Sequence, residues 1–254
     1  MSLKKWSILF LFIALVIGGV ILSAYERKGV PLPPLTLPLS LPEAQPFTPP
    51  SDTVIPASPK EVPEKFLLQV PFTAQAPTGN WDELHNEACE ETSAIMAAAY
   101  FSGDTRKVLP PAEVEKQLAT LTEWEEKHFG YSLDTTAAET AEMIREVYHL
   151  NADIVTDYTE QDIREALLAG KVIIMPLSGR MLGNPYFRQP GPIYHMIVIR
   201  GYTKTELITN DPGTRNGENY RYSFATIKNA AADWNHATNT IDAGKSLMIV
   251  VSGN

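Results

Sequence analysis

Eleven of the 20 prolines of this chain lie in one stretch, from Gly29 to Pro63. Proline lacks the backbone N–H that helices and central strands require, so this stretch is predicted to be a semi-rigid, extended spacer. We therefore assign residues 25–64 to a Pro-rich linker. The remaining residues, 65–254, number about 190, which is enough for one domain with a sizeable core.

The segment before the linker is strongly apolar. From Trp6 to Ala24 the chain carries no charged residue, and at about 1.5 Å per residue it is long enough to cross a bilayer core of about 30 Å. We predict a transmembrane helix over residues 6–24, acting as a signal anchor, with residues 1–5 as a cytoplasmic N-terminus because Lys4 and Lys5 precede it. A cleaved signal peptide is the alternative, although Leu22 stands where a small residue is preferred.

This arrangement predicts a single-pass protein of the cell membrane whose domain lies outside the cytoplasm. The net charge of −9 comes with no basic stripe, which argues against a nucleic-acid partner. No phosphate-binding loop occurs, so no nucleotide is expected. Asp82, His85, Cys89 and the following glutamates are metal-ligand types at helical spacing, but they lack a second soft ligand, so we predict no metal and no other cofactor.

The order of predicted elements indicates the fold class. After a short strand at 66–72, helices are predicted at 110–121, 134–150 (capped by Asp134) and 159–168, and strands at 171–177, 194–202, 206–210 and 246–251, with one further helix at 222–234 capped by Ser223. Helices come first and strands afterwards. That order predicts an α+β domain with an antiparallel sheet.

The only cysteine, Cys89, stands where a polar stretch gives way to a helix former, and Asn86 is the candidate helix cap. The exposed N–H groups and positive dipole of a helix N-terminus favour a thiolate, which is a nucleophile. A cysteine that only packs in the core is the alternative. Glu90 and Glu91 suit a first helical turn, and we expect both to point to solvent.

His195 and Asp211 are predicted to pair across a hairpin. Their midpoint is residue 203, so a turn at Thr203-Lys204 places them opposite each other on one face, where a carboxylate can orient an imidazole that acts as base and acid. A register shifted by one residue would pair Asn210 instead. Each residue taken alone also fits a purely structural role.

Several loop residues are candidates for the rest of a site. Gln75, in the loop before the cysteine, is a candidate second donor to an oxyanion beside the Cys89 N–H. The loop Ser178–Pro192 is rich in glycine, proline and aromatic residues and is predicted to form one wall of a cleft, with an ordinary surface loop as the alternative. The candidate substrate-binding residues are Trp81, Asn184, Tyr186 and Tyr194, although Trp81 also fits a position beneath the site.

Four sequence blocks, at residues 70–75, 87–96, 194–202 and 210–213, together resemble the C39-like peptidase family of papain-like cysteine peptidases. The resemblance implies a papain-like fold in which a buried helix carrying the nucleophile packs on an antiparallel sheet. It also implies that Cys89 is the nucleophile, His195 the base and acid, Asp211 the orienting group and Gln75 the oxyanion donor. The chain departs from the common Cys-Gly-Pro pattern of the family, because Glu90 and Glu91 follow the cysteine.

The leading hypothesis is a membrane-anchored cysteine peptidase that hydrolyses peptide bonds of a peptide or protein substrate through a thioester on Cys89. One alternative is a catalytically inert, peptidase-like module that binds a peptide or cell-wall fragment. Another is a transpeptidase or peptidoglycan amidase that uses the same cysteine.

Overall fold

A computed structural model describes residues 62–254. The predicted cytoplasmic N-terminus, the transmembrane helix at 6–24 and nearly all of the Pro-rich linker lie outside these residues. Between residues 62 and 254, none of the helices combines the length and hydrophobicity that a membrane span requires.

The described chain contains seven helices and nine strands. The helices are α1 (Glu83–Asn86), α2 (Cys89–Phe101), α3 (Pro111–His128), α4 (Ala137–Tyr148), α5 (Glu160–Leu168), α6 (Gly179–Leu182) and α7 (Phe224–Ala230). The strands are β1 (Phe66–Leu67), β2 (Asn151–Thr156), β3 (Val172–Leu177), β4 (His195–Tyr202), β5 (Glu206–Asn210), β6 (Glu218–Ser223), β7 (Ala232–Asn235), β8 (Thr240–Ala243) and β9 (Leu247–Ser252).

Seven of the strands form one antiparallel sheet in the order β2-β9-β3-β4-β5-β6, with β1 added at the end of β4. Strands β7 and β8 form a separate hairpin. Every residue of β3 and β4 is buried. Because successive side chains of a strand point to opposite faces, complete burial means that both faces of these central strands are covered.

Helix α2 occupies the centre of the domain. Its first nine residues, Cys89 to Ala97, are all buried, and it packs against β4, β3, α3 and α4. Burial on all sides favours small or apolar residues, and residues Ala94 to Ala97 of this stretch are of that kind. The expected α+β, papain-like architecture, with a buried helix packed on an antiparallel sheet, is therefore confirmed.

Local signals located most elements to within a few residues. Strand β5 has the predicted bounds, and Thr159 caps α5 in a capping box with Asp162. The cap predicted for α4 was wrong: Thr136, not Asp134, caps it, in a capping box with Glu139. The cap predicted for α2 was also wrong, because Asn86 ends α1 and α2 begins at Cys89 without a side-chain cap.

Other boundaries differ because the prediction missed strands. The predicted helix at 222–234 is confined to α7, since Ser223 both ends β6 and caps the helix, and β7 follows at Ala232. Strand β2 lies at the sheet edge beside β9 and carries mostly exposed residues. Without a buried face it lacks the hydrophobic pattern that identifies a strand. Helix α3 runs on to His128, through polar residues that favour helix.

The hairpin of β4 and β5 differs in register from the prediction. Val198 pairs with Asn210, whereas the predicted register would place it opposite Ile208. A β-bulge at Arg200 adds a further residue, so that Tyr202 pairs with Leu207. A shift of two residues near the start of β4 leaves each side chain on its original face.

Candidate active site

A cleft of 1460 Å³ opens beside the N-terminus of α2. Its lining comes mainly from four loops: the loop before α1, the loop between α2 and α3, the second half of the loop between β3 and β4, and the loop after β5. Side chains of Gln75, Cys89, His195 and Tyr194 face it, as do several aromatic and proline residues. Residues far apart in sequence thus meet at one concave surface, which is where binding sites are usually found.

Cys89 is the first residue of α2 and is buried. Its sulfur accepts a hydrogen bond from the backbone N–H of Met196 at 3.2 Å. Met196 follows His195 at the start of β4, so the thiol lies beside the residue predicted to act as its base. As the first helical residue, Cys89 also has a backbone N–H without an intrahelical acceptor.

His195 and Asp211 are paired as predicted. The His195 Nε2 atom lies 2.8 Å from Asp211 Oδ1, and both residues are buried. Asp211 follows the last residue of β5 instead of lying directly opposite His195. Because the carboxylate only accepts, Nε2 must carry the proton, and a neutral ring then has its lone pair at Nδ1. The one-residue alternative is wrong, since Asn210 bonds to Arg200 and to backbone carbonyls.

The Asp211 carboxylate is fully hydrogen-bonded. Besides His195, Oδ1 accepts from the backbone N–H of Gly213, while Oδ2 accepts from the Asn184 amide at 3.0 Å and the Tyr222 hydroxyl at 2.6 Å. Burial opposes ionisation, but His195 and these donors outweigh it and hold the pKa of Asp211 below its ordinary value. The group is therefore an ionised, fixed partner for the imidazole.

Gln75 lies at the site, but its amide is engaged elsewhere. The Nε2 atom donates to the carbonyl oxygens of His85 at 2.8 Å and Asn86 at 3.0 Å. Its Oε1 atom is buried without a hydrogen-bond partner among the described residues. The amide cannot simply be reversed, because both carbonyls need a donor. The oxyanion role of Gln75 stays a prediction, and the structure shows it bracing the loop before Cys89.

His85 also holds this loop in place, through hydrogen bonds to two carboxylates. Its ring nitrogens lie 2.6 Å from Asp82 and 2.9 Å from Glu115. A neutral imidazole can donate through one nitrogen only, so two carboxylate partners favour the imidazolium. Burial lowers the pKa of His85, but the hydrogen bonds to Glu115 and Asp82 outweigh it, and the net pKa is raised. His85 is therefore bound to two carboxylates rather than to Cys89.

The expectation that Glu90 and Glu91 point to solvent was wrong. Both are buried, with 1% and 3% of their surfaces exposed. Glu90 contacts the Cys89 thiol and the Thr135 backbone N–H. Glu91 lies close to Glu125 of α3, whose two carboxyl oxygens are buried without a hydrogen-bond partner among the described residues. Burial and like charge raise the pKa of Glu91 to about 7 and that of Glu125 to about 11.

The four candidate substrate-binding residues differ in their exposure and in their hydrogen bonds. Trp81 and Tyr186 are exposed, at 45% and 55%, and line the cleft. Tyr194 lines it too, but it is buried and its hydroxyl lies 3.3 Å from Asp233. Asn184 is buried behind the wall and bonds to Asp211 and Tyr222. Residues 185–192 line the cleft, as predicted for this loop.

Three contributors to the site were missed by the sequence analysis. Tyr222 belongs to β6, whose alternation of tyrosines with polar residues is a strand signal that was available. Gly213 packs so closely that a Cβ there would lie 2.9 Å from His195 Cε1. The Met196 N–H is a backbone group, so no side-chain pattern could have indicated it.

The model of the Peptidase_C39 like family matches residues 67–242. Among solved structures, a candidate C39-like peptidase of Bacillus anthracis is 15% identical, with a TM-score of 0.49, covering 76% of this chain and 99% of the other. No curated protein matches the chain. Because the family match spans well over half of its residues, the chain belongs to the C39-like peptidase family.

Proposed function

We propose that the protein is a membrane-anchored cysteine peptidase that hydrolyses peptide bonds outside the cytoplasm, with Cys89 as nucleophile and His195 and Asp211 completing a triad. The observation that carries this proposal is the convergence at one cleft: the Cys89 sulfur is bonded to the backbone next to His195, and His195 is bonded to Asp211. The membrane anchor rests on the apolar sequence of residues 6–24.

In the proposed reaction the Cys89 thiol gives its proton to His195 Nδ1 as sulfur attacks the peptide carbonyl carbon. The imidazolium, stabilised by Asp211, then gives that proton to the leaving amine as the C–N bond breaks, leaving a thioester. Water attacks the acyl carbon of the thioester, the C–S bond breaks to release the carboxylic acid, and the proton of the water passes through the same nitrogen back to sulfur. The Cys89 N–H is the first oxyanion donor, and Gln75 joins it only when one of its N–H groups leaves a carbonyl.

The cleft supports a peptide substrate. It is open, and exposed rings of Trp81 and Tyr186 on its walls offer apolar surface to side chains of an extended chain. These features support a peptide or protein substrate without selecting a sequence.

The test is turnover by the full-length protein in membranes or detergent. Wild type and the Cys89→Ala and His195→Ala variants are incubated with a mixed peptide library, and products are read by mass spectrometry. We expect cleavage by wild type and loss of at least about 10³-fold in both variants. Cleavage that persists in Cys89→Ala, or its absence from wild type across the library, would overturn the proposal.

The second candidate function is an inert binding module, and the contact between Cys89 and Glu90 favours it. Burial and the Glu90 carboxylate raise the pKa of the Cys89 thiol well above its ordinary value, which disfavours a reactive thiolate. An inert module would bind library peptides equally well in wild type and Cys89→Ala. A transferase would give amine adducts instead of free acids when an amine is added, so the same product analysis separates all three functions.

A further inference from the structure

The Cys89 sulfur has a second polar partner besides the Met196 N–H. It lies 2.9 Å from Oε2 of Glu90, the next residue in α2. The other carboxyl oxygen, Oε1, accepts from the Thr135 backbone N–H at 3.1 Å. Glu90 is 1% exposed, so this carboxyl group is fixed against the sulfur inside the protein. A glutamate at this position is also where the chain departs from the common family pattern.

The groups around Glu90 determine how tightly its carboxyl group holds a proton. Burial, Glu91 in the same helix and Asp134 in the loop before α4 all raise the pKa of Glu90. Glu125 of α3 and Tyr194 also lie within range of its charge. None of these groups is a cation, so the groups named here, all between residues 62 and 254, add no positive charge beside Glu90. A proton placed between Glu90 and the thiol is therefore held tightly.

Building on the proposed peptidase function, we propose that Glu90 is a further residue of the catalytic site that holds Cys89 as a protonated thiol in the resting protein. The S–H bond is directed at Glu90 Oε2, and the resting site is not a thiolate–imidazolium pair. Attack on a substrate then begins when the thiol turns from Glu90 to His195 Nδ1. The proton passes to Nδ1 as the S–C bond forms, so Glu90 keeps its own protonation state and no atom is gained or lost.

The proposal predicts that replacing the Glu90 carboxyl group by an amide makes the thiol more acidic. Without the carboxylate, the sulfur keeps the Met196 N–H, which favours the thiolate, and loses the neighbour that disfavours it. Glu90→Gln keeps the shape of the side chain and an oxygen for the Thr135 N–H. Glu91→Gln is a matched control, since Glu91 is equally buried in the next position but does not contact the sulfur.

The experiment measures the rate of alkylation by iodoacetamide against pH in the full-length protein, where Cys89 is the only cysteine. We expect wild type to react with an apparent pKa above that of a free cysteine, about 8.5. Glu90→Gln is expected to shift the profile down by at least about one pH unit, which makes alkylation at pH 7 roughly tenfold faster. Glu91→Gln is expected to follow wild type. An unshifted profile in Glu90→Gln, or an equal shift in Glu91→Gln, would overturn the proposal.

A measurement on wild type alone keeps the test valid if Glu90→Gln does not fold. The ultraviolet absorbance of a thiolate, titrated against a Cys89→Ser blank, should appear only above about pH 8.5. A thiolate already present at pH 6 would contradict the proposal. The outcomes also separate the two proposals: a shifted Glu90→Gln profile without any wild-type cleavage removes the peptidase function alone, and cleavage with an unshifted profile removes the role of Glu90 alone.

Discussion

The Tyr222 hydroxyl donates a 2.6 Å hydrogen bond to Oδ2 of Asp211, the oxygen that does not contact His195. Strand β6 thus holds the carboxylate from the side opposite to its imidazole partner. The Asn184 amide donates to the same oxygen. The orientation of Asp211 therefore depends on residues from three separate segments of the chain.

Replacing Tyr222 by phenylalanine should destabilise the domain by about 1.5–3 kcal/mol, the usual range for losing a hydrogen bond to a buried charge. Peptide cleavage should fall by less than about tenfold, because Asn184 and Gly213 still orient the carboxylate. Urea unfolding and kcat/KM measure the two effects. Tyr220→Phe is the control on the same strand, since the Tyr220 ring packs beside that of Tyr222. Equal losses in both variants would refute the role of the Tyr222 hydroxyl.

Gly213 should tolerate no side chain. A Cβ there would lie 2.9 Å from both His195 Cε1 and Phe187 Cε1, so Gly213→Ala must displace the imidazole. Because misplacement by about 1 Å can cost about 10²-fold, we expect kcat/KM to fall at least about tenfold while circular dichroism stays native. Gly253→Ala is the control, since its Cβ would make only an ordinary contact with Phe101. Unchanged kinetics in Gly213→Ala would contradict the prediction.

His85 should make stability depend on pH. Its pKa is raised in the folded state, so its stabilising contribution is complete below the unfolded value of about 6.5 and is lost as pH rises through the folded pKa. In Glu115→Gln this loss should be smaller, and the urea midpoint should fall less between pH 6 and 8.5. Glu113→Gln is the control: the pKa of Glu113 is lowered by Arg106, so the group stays ionised throughout that range. A Glu115→Gln profile parallel to wild type would exclude the effect.

Glu91 should destabilise the domain as pH rises. Its pKa of about 7 lies above the ordinary value of about 4.3, so between these values the folded state binds a proton that the unfolded state has released, and stability falls with increasing pH. Glu91→Gln cannot ionise at this position and does not lose this stability. The difference between its urea midpoint and that of wild type should therefore increase from pH 4.5 to 8. The exposed Glu142 offers a control variant, Glu142→Gln, with no such trend. A constant difference between Glu91→Gln and wild type would show that Glu91 is not buried as described.

The sequence predicted those features that depend on local rules. Strand β5 was found because a short apolar run ends at turn residues. The pairing of His195 with Asp211 was predicted despite a wrong register, since a shift of two residues preserves the face of the sheet. The exact opposition was lost next to the turn, where the pairing of Tyr202 with Leu207 is shifted by three residues, and the bulge at Arg200 reduces this shift to two. The Arg200 side chain bonds to Leu68, far away in the chain.

The features that depend on tertiary contacts were not predictable in this way. Acidic residues in a first helical turn normally face water, and the burial of Glu90 and Glu91 arises only because Thr135 and Glu125 pack over them. Gln75 was placed at the site, but its bonds to His85 and Asn86 depend on how the loop folds back. The edge strand β2 was missed because its side chains are mostly exposed.

Residues 195 and 196 make their contributions to the site from adjoining positions, one through its imidazole and the other through its main-chain N–H on the Cys89 sulfur. The distance between the Cα atom of His195 and the N–H that binds the sulfur is therefore set by the covalent geometry of a single peptide unit. Fluctuations of the domain, or widening of the cleft around a large ligand, would move both groups together. The distance between these two backbone positions would change little during such motions.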